Sequence, residues 1–438
     1  MDQGSFIGQR LNRNLSNHSF RYVQNASLLD SRLSSTAGNC LMENIDIYLK
    51  SLAENLKGFK DHSLINGSGG AILYLIYYGR ATNQQKYLAR AIELLQQAIE
   101  HFAHNNKSKS TFGYGFIGVA WLTQFLNNEG ILSRGDISFL DEIDEVIFES
   151  LIAANEEQNY DLFAGSIGCA LYFVERKNAM TTLALNEFIG GLEMIHQKDE
   201  FGIKWPDFFK PIDTDIPEYN LGMAHGSPSI VSFLCSAFEY IENKEKVIVL
   251  IQKTISWIRH YKQDVSFGSY YPSIISDRIT LPQKSALSWC YGDLGIAFSF
   301  IKAGELLNDN SLIEEAYELV LNAATRDMKD SLIFHSKEYH EACFCHGSAG
   351  NSYMFMKLFS YFKDKKIQTA QHYWFKQFSE LRLKMSNRFS FYSYNEQDEL
   401  EWNDDLTILE GISGIGLVLL AKLHVNCQNW DKVFLLDI

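Results

Sequence analysis

Cys345-His346-Gly347-Ser348-Ala349-Gly350 is one of seven short glycine-bearing motifs that punctuate this sequence. The other six are Asn66-Gly67-Ser68-Gly69-Gly70, Gly113-Tyr114-Gly115-Phe116-Ile117-Gly118, Ala164-Gly165-Ser166-Ile167-Gly168, Ala224-His225-Gly226-Ser227-Pro228, Cys290-Tyr291-Gly292-Asp293-Leu294-Gly295 and Glu410-Gly411-Ile412-Ser413-Gly414-Ile415-Gly416. Each leads into an apolar run, such as Ala71-Ile72-Leu73-Tyr74-Leu75 or Leu417-Val418-Leu419-Leu420. The spacing of about 50 to about 65 residues leaves room for two helices and two connections, and periodic units of this size denote a repeat architecture. An apolar helix opened by glycines reads as an inner helix, starting where backbones crowd, and its amphipathic partner as an outer one. Seven such hairpins closing on themselves predict an all-α fold. It is an α/α toroid, a double-layered barrel of seven inner and seven outer helices, with the motifs at the inner-helix starts and converging at one end.

Outward from the motifs the pattern stays helical. Leu88, Ile92, Leu95, Ile99 and Phe102 recur at spacings of three and four, one face of an amphipathic helix. Ser311-Leu312-Ile313-Glu314 fits a capping box, and Leu312, Ala316, Leu319 and Ala323 supply the stripe behind it. All six prolines (Pro206, Pro211, Pro217, Pro228, Pro272, Pro282) fall in one central stretch. Proline removes a donor and clashes with the preceding turn, so 199–221 and 266–286 are expected to be long irregular loops. Residues 1–40, rich in Ser and Asn, read as an irregular or partly helical lead-in to a single barrel domain over 41–438.

The chain has 438 residues, 46% hydrophobic and 21% charged, too apolar for disorder. Its net charge of −14 argues against a phosphate-backbone binder, hence no nucleic-acid partner. Seven cysteines, an odd number lying mostly singly among apolar residues, point to a reducing compartment rather than a disulfide framework. No apolar run reaches the ~18 residues of a membrane span, and Met1-Asp2-Gln3-Gly4-Ser5-Phe6 does not open a secretory signal. A cytoplasmic protein with no transmembrane segment is expected.

Three motifs hold soft or ionisable residues where the others do not. Cys290 stands in the fifth repeat, and Cys345 with His346 in the sixth. Thiolate and imidazole are preferred zinc ligands, and three protein ligands with one open position is the catalytic arrangement. Equivalent places in adjacent repeats become neighbours in a closed barrel. His225 occupies the same slot in the fourth repeat. Asp161, just before the third motif, orients a histidine, stabilises charge or caps the inner helix. Tyr291 follows Cys290 and either donates a hydrogen bond near the metal or packs. Cys343, two residues before Cys345, reads as structural, with a decoy ligand as the alternative.

With Trp289-Cys290-Tyr291-Gly292, Cys345-His346-Gly347, Ala224-His225-Gly226 and the seven glycine motifs, the chain resembles the lanthionine synthetase C family, the standalone cyclases of lantibiotic biosynthesis, over roughly residues 60–420. The resemblance implies one Zn2+ held by Cys290, Cys345 and His346, acid/base work by His225, and supporting roles for Asp161 and Tyr291. It implies a dehydrated, cysteine-containing precursor peptide as substrate, with a dehydratase and an exporter as partners, in an assembly that is at most peripheral to a membrane. The reaction expected is addition of a cysteine thiol to dehydroalanine or dehydrobutyrine, closing a thioether ring without a nucleotide or redox cofactor. One departure stands out: the family commonly has an arginine four residues before the first cysteine ligand, where this chain has Ala286, and Lys284 or Arg278 is the nearest replacement. That departure keeps a non-catalytic zinc-bearing thiol- or peptide-binding scaffold as an alternative. A prenyltransferase β-like enzyme would want an aspartate among its ligands, and a glycoside hydrolase built on Asp161 and Glu410 leaves the cysteines unexplained.

Overall fold

Every one of the seven motifs opens a helix in the computed structural model, which describes residues 36–105, 109–209, 216–279, 281–333, 341–383, 391–394, 400–403, 405–424 and 429–438. The inner helices are α2 (Gly69–Ala81), α4 (Phe116–Asn128), α6 (Ser166–Arg176), α8 (Ser227–Ala237), α10 (Asp293–Leu307), α12 (Ser348–Phe362) and α14 (Ile412–Leu423). Each is apolar nearly all round and accordingly buried nearly all round; in α2 every residue from Gly69 to Gly79 is buried. Six of the outer helices follow their inner partners: α3 (Gln85–His104), α5 (Leu140–Glu156), α7 (Thr181–Ile195), α9 (Lys244–His260), α11 (Asn310–Ala323) and α13 (Lys365–Leu383). In α3 the stripe Leu88, Ile92, Leu95, Ile99 and Phe102 is the buried face, as its spacing predicts.

The seventh outer helix comes from the other end of the chain. α1 (Thr36–Asn55) packs on α14 and α2, burying Ile45, Tyr48, Leu49 and Leu52, and the Tyr74 hydroxyl donates to the Leu49 carbonyl at 2.5 Å. Helix therefore begins at Thr36, inside the stretch expected to be a lead-in; residues 1–35 lie outside the described residues. α14 packs directly on α2, so the last inner helix closes the ring on the first. The contact depends on Gly416, where a Cβ would stand 2.6 Å from Leu52 and 2.7 Å from Tyr74.

At the motif end the loops are joined to one another in order. Ile65 N–H donates to Gly113 O (2.9 Å), Gly113 N–H to Phe163 O (2.7 Å), Trp289 N–H to Cys345 O (3.0 Å) and Cys345 N–H to Leu409 O (2.9 Å). Gly70 lies against Ile408, and Gly222 against the carbonyl of Cys290. These bonds satisfy polar backbone that burial takes from water. Residues 429–438 run into the middle of the same end: Trp430, Val433, Phe434 and Leu436 are fully buried, and the Phe434 ring meets those of Phe163, Trp289 and Phe344.

Two expectations are corrected. The cap of α11 is Asp309, whose carboxylate accepts from Ser311 N–H at 3.0 Å; Ser311 itself lies inside the helix, its hydroxyl donating to Asp309, and Leu312 stands where a capping box needs Glu or Gln, so the expected box does not form. The proline-rich loops are not wholly irregular. The first carries β2 (Ile203–Lys204), paired with β1 (Gln197–Lys198) just ahead of it, and β3 (Glu218–Asn220), which pairs antiparallel with β4 (Ile274–Ser276) and so ties one loop to the other. Pro228 sits in the first turn of α8, where its missing N–H costs nothing; Pro211 lies outside the described residues. A further hairpin joins β5 (Phe391–Tyr394) to β6 (Leu400–Asn403). Among the described residues, no helix is long and apolar enough to cross a membrane.

Candidate metal and acid–base site

The ring of motif loops brings the fifth and sixth repeats together through the Trp289–Cys345 backbone bond, and with them the expected ligands. The sulfurs of Cys290 and Cys345 and a ring nitrogen of His346 lie within 4.8 Å of one another. Cys345 hydrogen-bonds to Cys290 and holds the Cys290 thiol well below its ordinary range, with burial opposing and His346 and Ser288 assisting; the Cys345 thiol is raised in turn. Two soft sulfurs and one imidazole, close enough to share one ion, are a donor set that fits zinc. All three are half-buried rather than sealed, which leaves the set accessible on one side, as a site with an open position requires.

Next in order round the ring stand the third and fourth repeats. His225 Nδ1 lies 2.5 Å from Asp161 Oδ2, and Asp161 is almost fully buried. The other carboxylate oxygen of Asp161 accepts from Phe163 N–H (2.9 Å) and Ala164 N–H (2.7 Å), which fixes its orientation. So Asp161 holds a histidine and organises the turn ahead of α6, but it does not cap that helix, whose N-cap is Gly165. Burial pulls the His225 pKa down, but the Asp161 hydrogen bond and charge, with the charges of Asp207 and Cys290, outweigh it and leave it raised. With Nδ1 engaged, Nε2 is the nitrogen left for a substrate.

Tyr291 is held by Asn220, which stands just ahead of the fourth motif. Its hydroxyl accepts from Asn220 Nδ2 at 3.4 Å, and Asn220 Nδ2 also donates to Asp207 Oδ2 at 3.0 Å. Burial first, then the charges of Cys290, Asp207 and Cys345, raise its pKa against the Asn220 bond, so the phenol keeps its proton.

Several residues around the site were not singled out from the sequence. Ser288 Oγ lies 3.4 Å from the Cys290 sulfur and is buried. Tyr114, of the second motif, feels the charges of Asp161, Cys345 and Glu410, and burial above all pushes its pKa up to about 12. Phe209 sets its ring edge-on to His225, centroids 5.0 Å apart. Asn220 had a signal in the repeat. It stands six residues before Gly226 as Asn159 stands six before Gly165, and each accepts from the N–H two residues on, Gly222 (2.7 Å) and Asp161 (3.1 Å). The replacements considered for Ala286 do not reach the site: the Lys284 ammonium is paired with Asp330 at 2.9 Å, and Arg278 is exposed beyond β4. Glu410 is exposed on the rim.

The fold has a known counterpart. Nisin cyclase has a solved structure similar to this chain at a TM-score of 0.68 and 19% identity, covering 91% of this chain and 98% of that one. The glutathione S-transferase LANCL1 of Danio rerio is 26% identical over 149 residues, 34% of this chain; the match spans about a third of that relative's length (33%). The family model described as lanthionine synthetase C-like protein matches residues 58–435. That match takes in all seven motifs and every site residue above, and the chain belongs to the lanthionine synthetase C-like family.

Proposed function

We propose that this protein is a zinc-dependent lanthionine cyclase, acting on a dehydrated, cysteine-containing precursor peptide in the cytoplasm, with residues 41–438 as one barrel domain. The observation that carries the reading is the Asp161–His225 pair standing in the same ring of loops as two thiols and an imidazole within 4.8 Å. Cys290, Cys345 and His346 would hold the metal, which when bound supplies the positive charge that makes a cysteine thiolate available at neutral pH.

The residues of the chain divide the remaining work. The substrate sulfur adds to the β-carbon of dehydroalanine or dehydrobutyrine, and the electrons of the carbon–carbon double bond move toward the neighbouring carbonyl. His225, protonated on Nε2, gives its proton to the α-carbon, so the thiol proton lost to solvent is replaced and the product is an isomer of the substrate. Asp161 keeps the imidazole charged and aimed. Tyr291 accepts from Asn220 and so has its own O–H left to donate to the enolate oxygen. The peptide would arrive from a dehydratase and leave through an exporter.

A second reading is favoured by Ala286 and by the engagement of Lys284 with Asp330: a scaffold that binds the metal and a thiol without closing rings. The name of the Danio rerio relative, a glutathione S-transferase, is consistent with thiol chemistry using a small thiol.

The test is metal content by mass spectrometry together with cyclisation of a dehydrated peptide. Because ring closure leaves mass unchanged, it is followed as the loss of thiols that react with N-ethylmaleimide. One zinc per wild-type chain, lost in Cys290→Ala, Cys345→Ala and His346→Ala, with thiols consumed only by the wild type, is the expected outcome. Stoichiometric zinc without thiol consumption supports the scaffold, and wild-type protein without zinc overturns both.

A further inference from the structure

His346 belongs to two clusters at once. One is the set with Cys290 and Cys345; the other joins it to Cys343 and Glu341, whose donor atoms likewise lie within 4.8 Å of one another. The imidazole thus lies beside the thiols of both Cys290 and Cys343. Cys343 and Glu341 are both buried, so neither group faces bulk solvent. A ring nitrogen turned toward them has to find its partner in the protein.

The repeat says which position this is. A Cβ built on the motif glycine would meet the backbone nitrogen of the residue four before it: Asp161 at 2.5 Å from Gly165, Cys343 at 2.4 Å from Gly347, Thr407 at 2.3 Å from Gly411 and Ser63 at 2.4 Å from Gly67. Cys343 thus stands in the sixth repeat where Asp161 stands in the third. Asp161 uses that position to hold His225. The Cys343 backbone has no room to withdraw, because its carbonyl also accepts from Gly350 N–H at 3.3 Å.

We propose that Cys343, with Glu341 beside it, is a positioning residue for His346: it takes the outer ring N–H and so fixes the tautomer and plane in which the other nitrogen faces Cys290 and Cys345. Histidine ligands to metals commonly donate their outer N–H to a carboxylate, carbonyl or water, and loss of that partner weakens metal binding by about 10- to 100-fold. Here a thiol fills the place. The inference rests on the metal reading above.

The experiment titrates zinc into the full-length chain against a chromophoric chelator, comparing wild type with Cys343→Ala, Cys343→Ser and Glu341→Gln. Cys169→Ala, a buried thiol inside helix α6 and outside both clusters, controls for removing a core sulfur. Expected are one zinc per chain throughout, affinity about 10- to 100-fold weaker in Cys343→Ala, most of it restored in Cys343→Ser, whose hydroxyl also accepts, and no change in Cys169→Ala. Circular dichroism separates unfolding from weakened binding, and the serine variant keeps the test open if alanine does not fold. Wild-type affinity in Cys343→Ala overturns the proposal. So does a second zinc in the wild type that Cys343→Ala loses, which would make Cys343 a ligand. A wild type that binds no zinc removes the metal reading itself.

Discussion

Trp289 Nε1 donates to the carbonyl of Phe434 at 3.0 Å, joining the residue before Cys290 to the end of the chain. The Phe434 ring stands 5.1 Å from that of Trp289, 4.6 Å from Phe344 and 6.4 Å from Phe163, centroid to centroid. Phe344 precedes Cys345, and Phe163 lies two residues after Asp161. One buried ring therefore supports three loops that carry site residues. Phe434→Ala is expected to cost about 3–5 kcal/mol, the range for emptying an aromatic site in a close-packed core. Urea denaturation measures it. Zinc affinity should fall in the same variant, whereas Phe434→Leu, which leaves less space, should lose less of both. Wild-type stability in Phe434→Ala would show that residues 429–438 merely lie on the ring.

The pH dependence of the proposed cyclisation follows from the Asp161–His225 pair. Burial alone lowers the His225 pKa, and the carboxylate of Asp161 is the first influence that raises it. A general acid works while it holds its proton, so activity should persist above the ordinary histidine value of about 6.5 and fall as pH rises through the raised one. Asp161→Asn keeps a hydrogen-bonding group in place but removes the charge, leaving burial opposed only by Asp207 and Cys290. Its alkaline limb should move to lower pH, with the peak rate reduced. His225→Asn should lose the limb altogether. Thiol consumption measured against pH separates these cases, and an unmoved limb in Asp161→Asn would mean that another group supplies the proton.

Much of this was legible in the sequence because repetition is legible. Seven glycine motifs in register gave the inner-helix starts, and a cysteine or histidine in a motif became a neighbour of its counterpart in the next repeat. Asp161 and His225 are 64 residues apart in the chain, yet their repeats are adjacent and they touch. What the motifs did not contain was harder to see. α1 completes the outer layer from a stretch with weak periodicity: seven repeats called for seven outer helices, but only closure of the ring shows that the seventh is supplied ahead of the first motif. Phe434 and Trp430 look like ordinary core residues until residues 429–438 are seen to enter the middle of the motif end. Asp207 and Phe209 sit in a proline-broken loop, whose path is set by pairing β3 to β4 across 54 residues (Asn220 to Ile274) rather than by local propensity. Cys343 was read as structural because a buried thiol usually is; its equivalence to Asp161 appears only when backbone approaches are compared.

Gly292 offers a test of the site that touches no ligand. It follows Cys290 by two residues and has φ +101° and ψ −177° as the cap of α10, a region of backbone space open essentially only to glycine. A Cβ there would also stand 2.0 Å from the Ala286 carbonyl, which the loop cannot move without shifting Ser285 and its bond from Arg326. Gly58 also has a positive φ, +79°, but nothing lies within 4 Å of its Cβ position. Gly58→Ala should therefore cost only backbone strain, about 1 kcal/mol, and leave zinc binding as it was. Gly292→Ala should cost more than that, because strain and overpacking add at about 1–3 kcal/mol each, and it should weaken zinc binding by displacing Cys290. Denaturation and zinc titration on the two variants give the comparison directly. Equal stability losses would mean that the loop relaxes around the methyl group, and an unchanged zinc affinity in Gly292→Ala would detach the position of Cys290 from the turn that follows it.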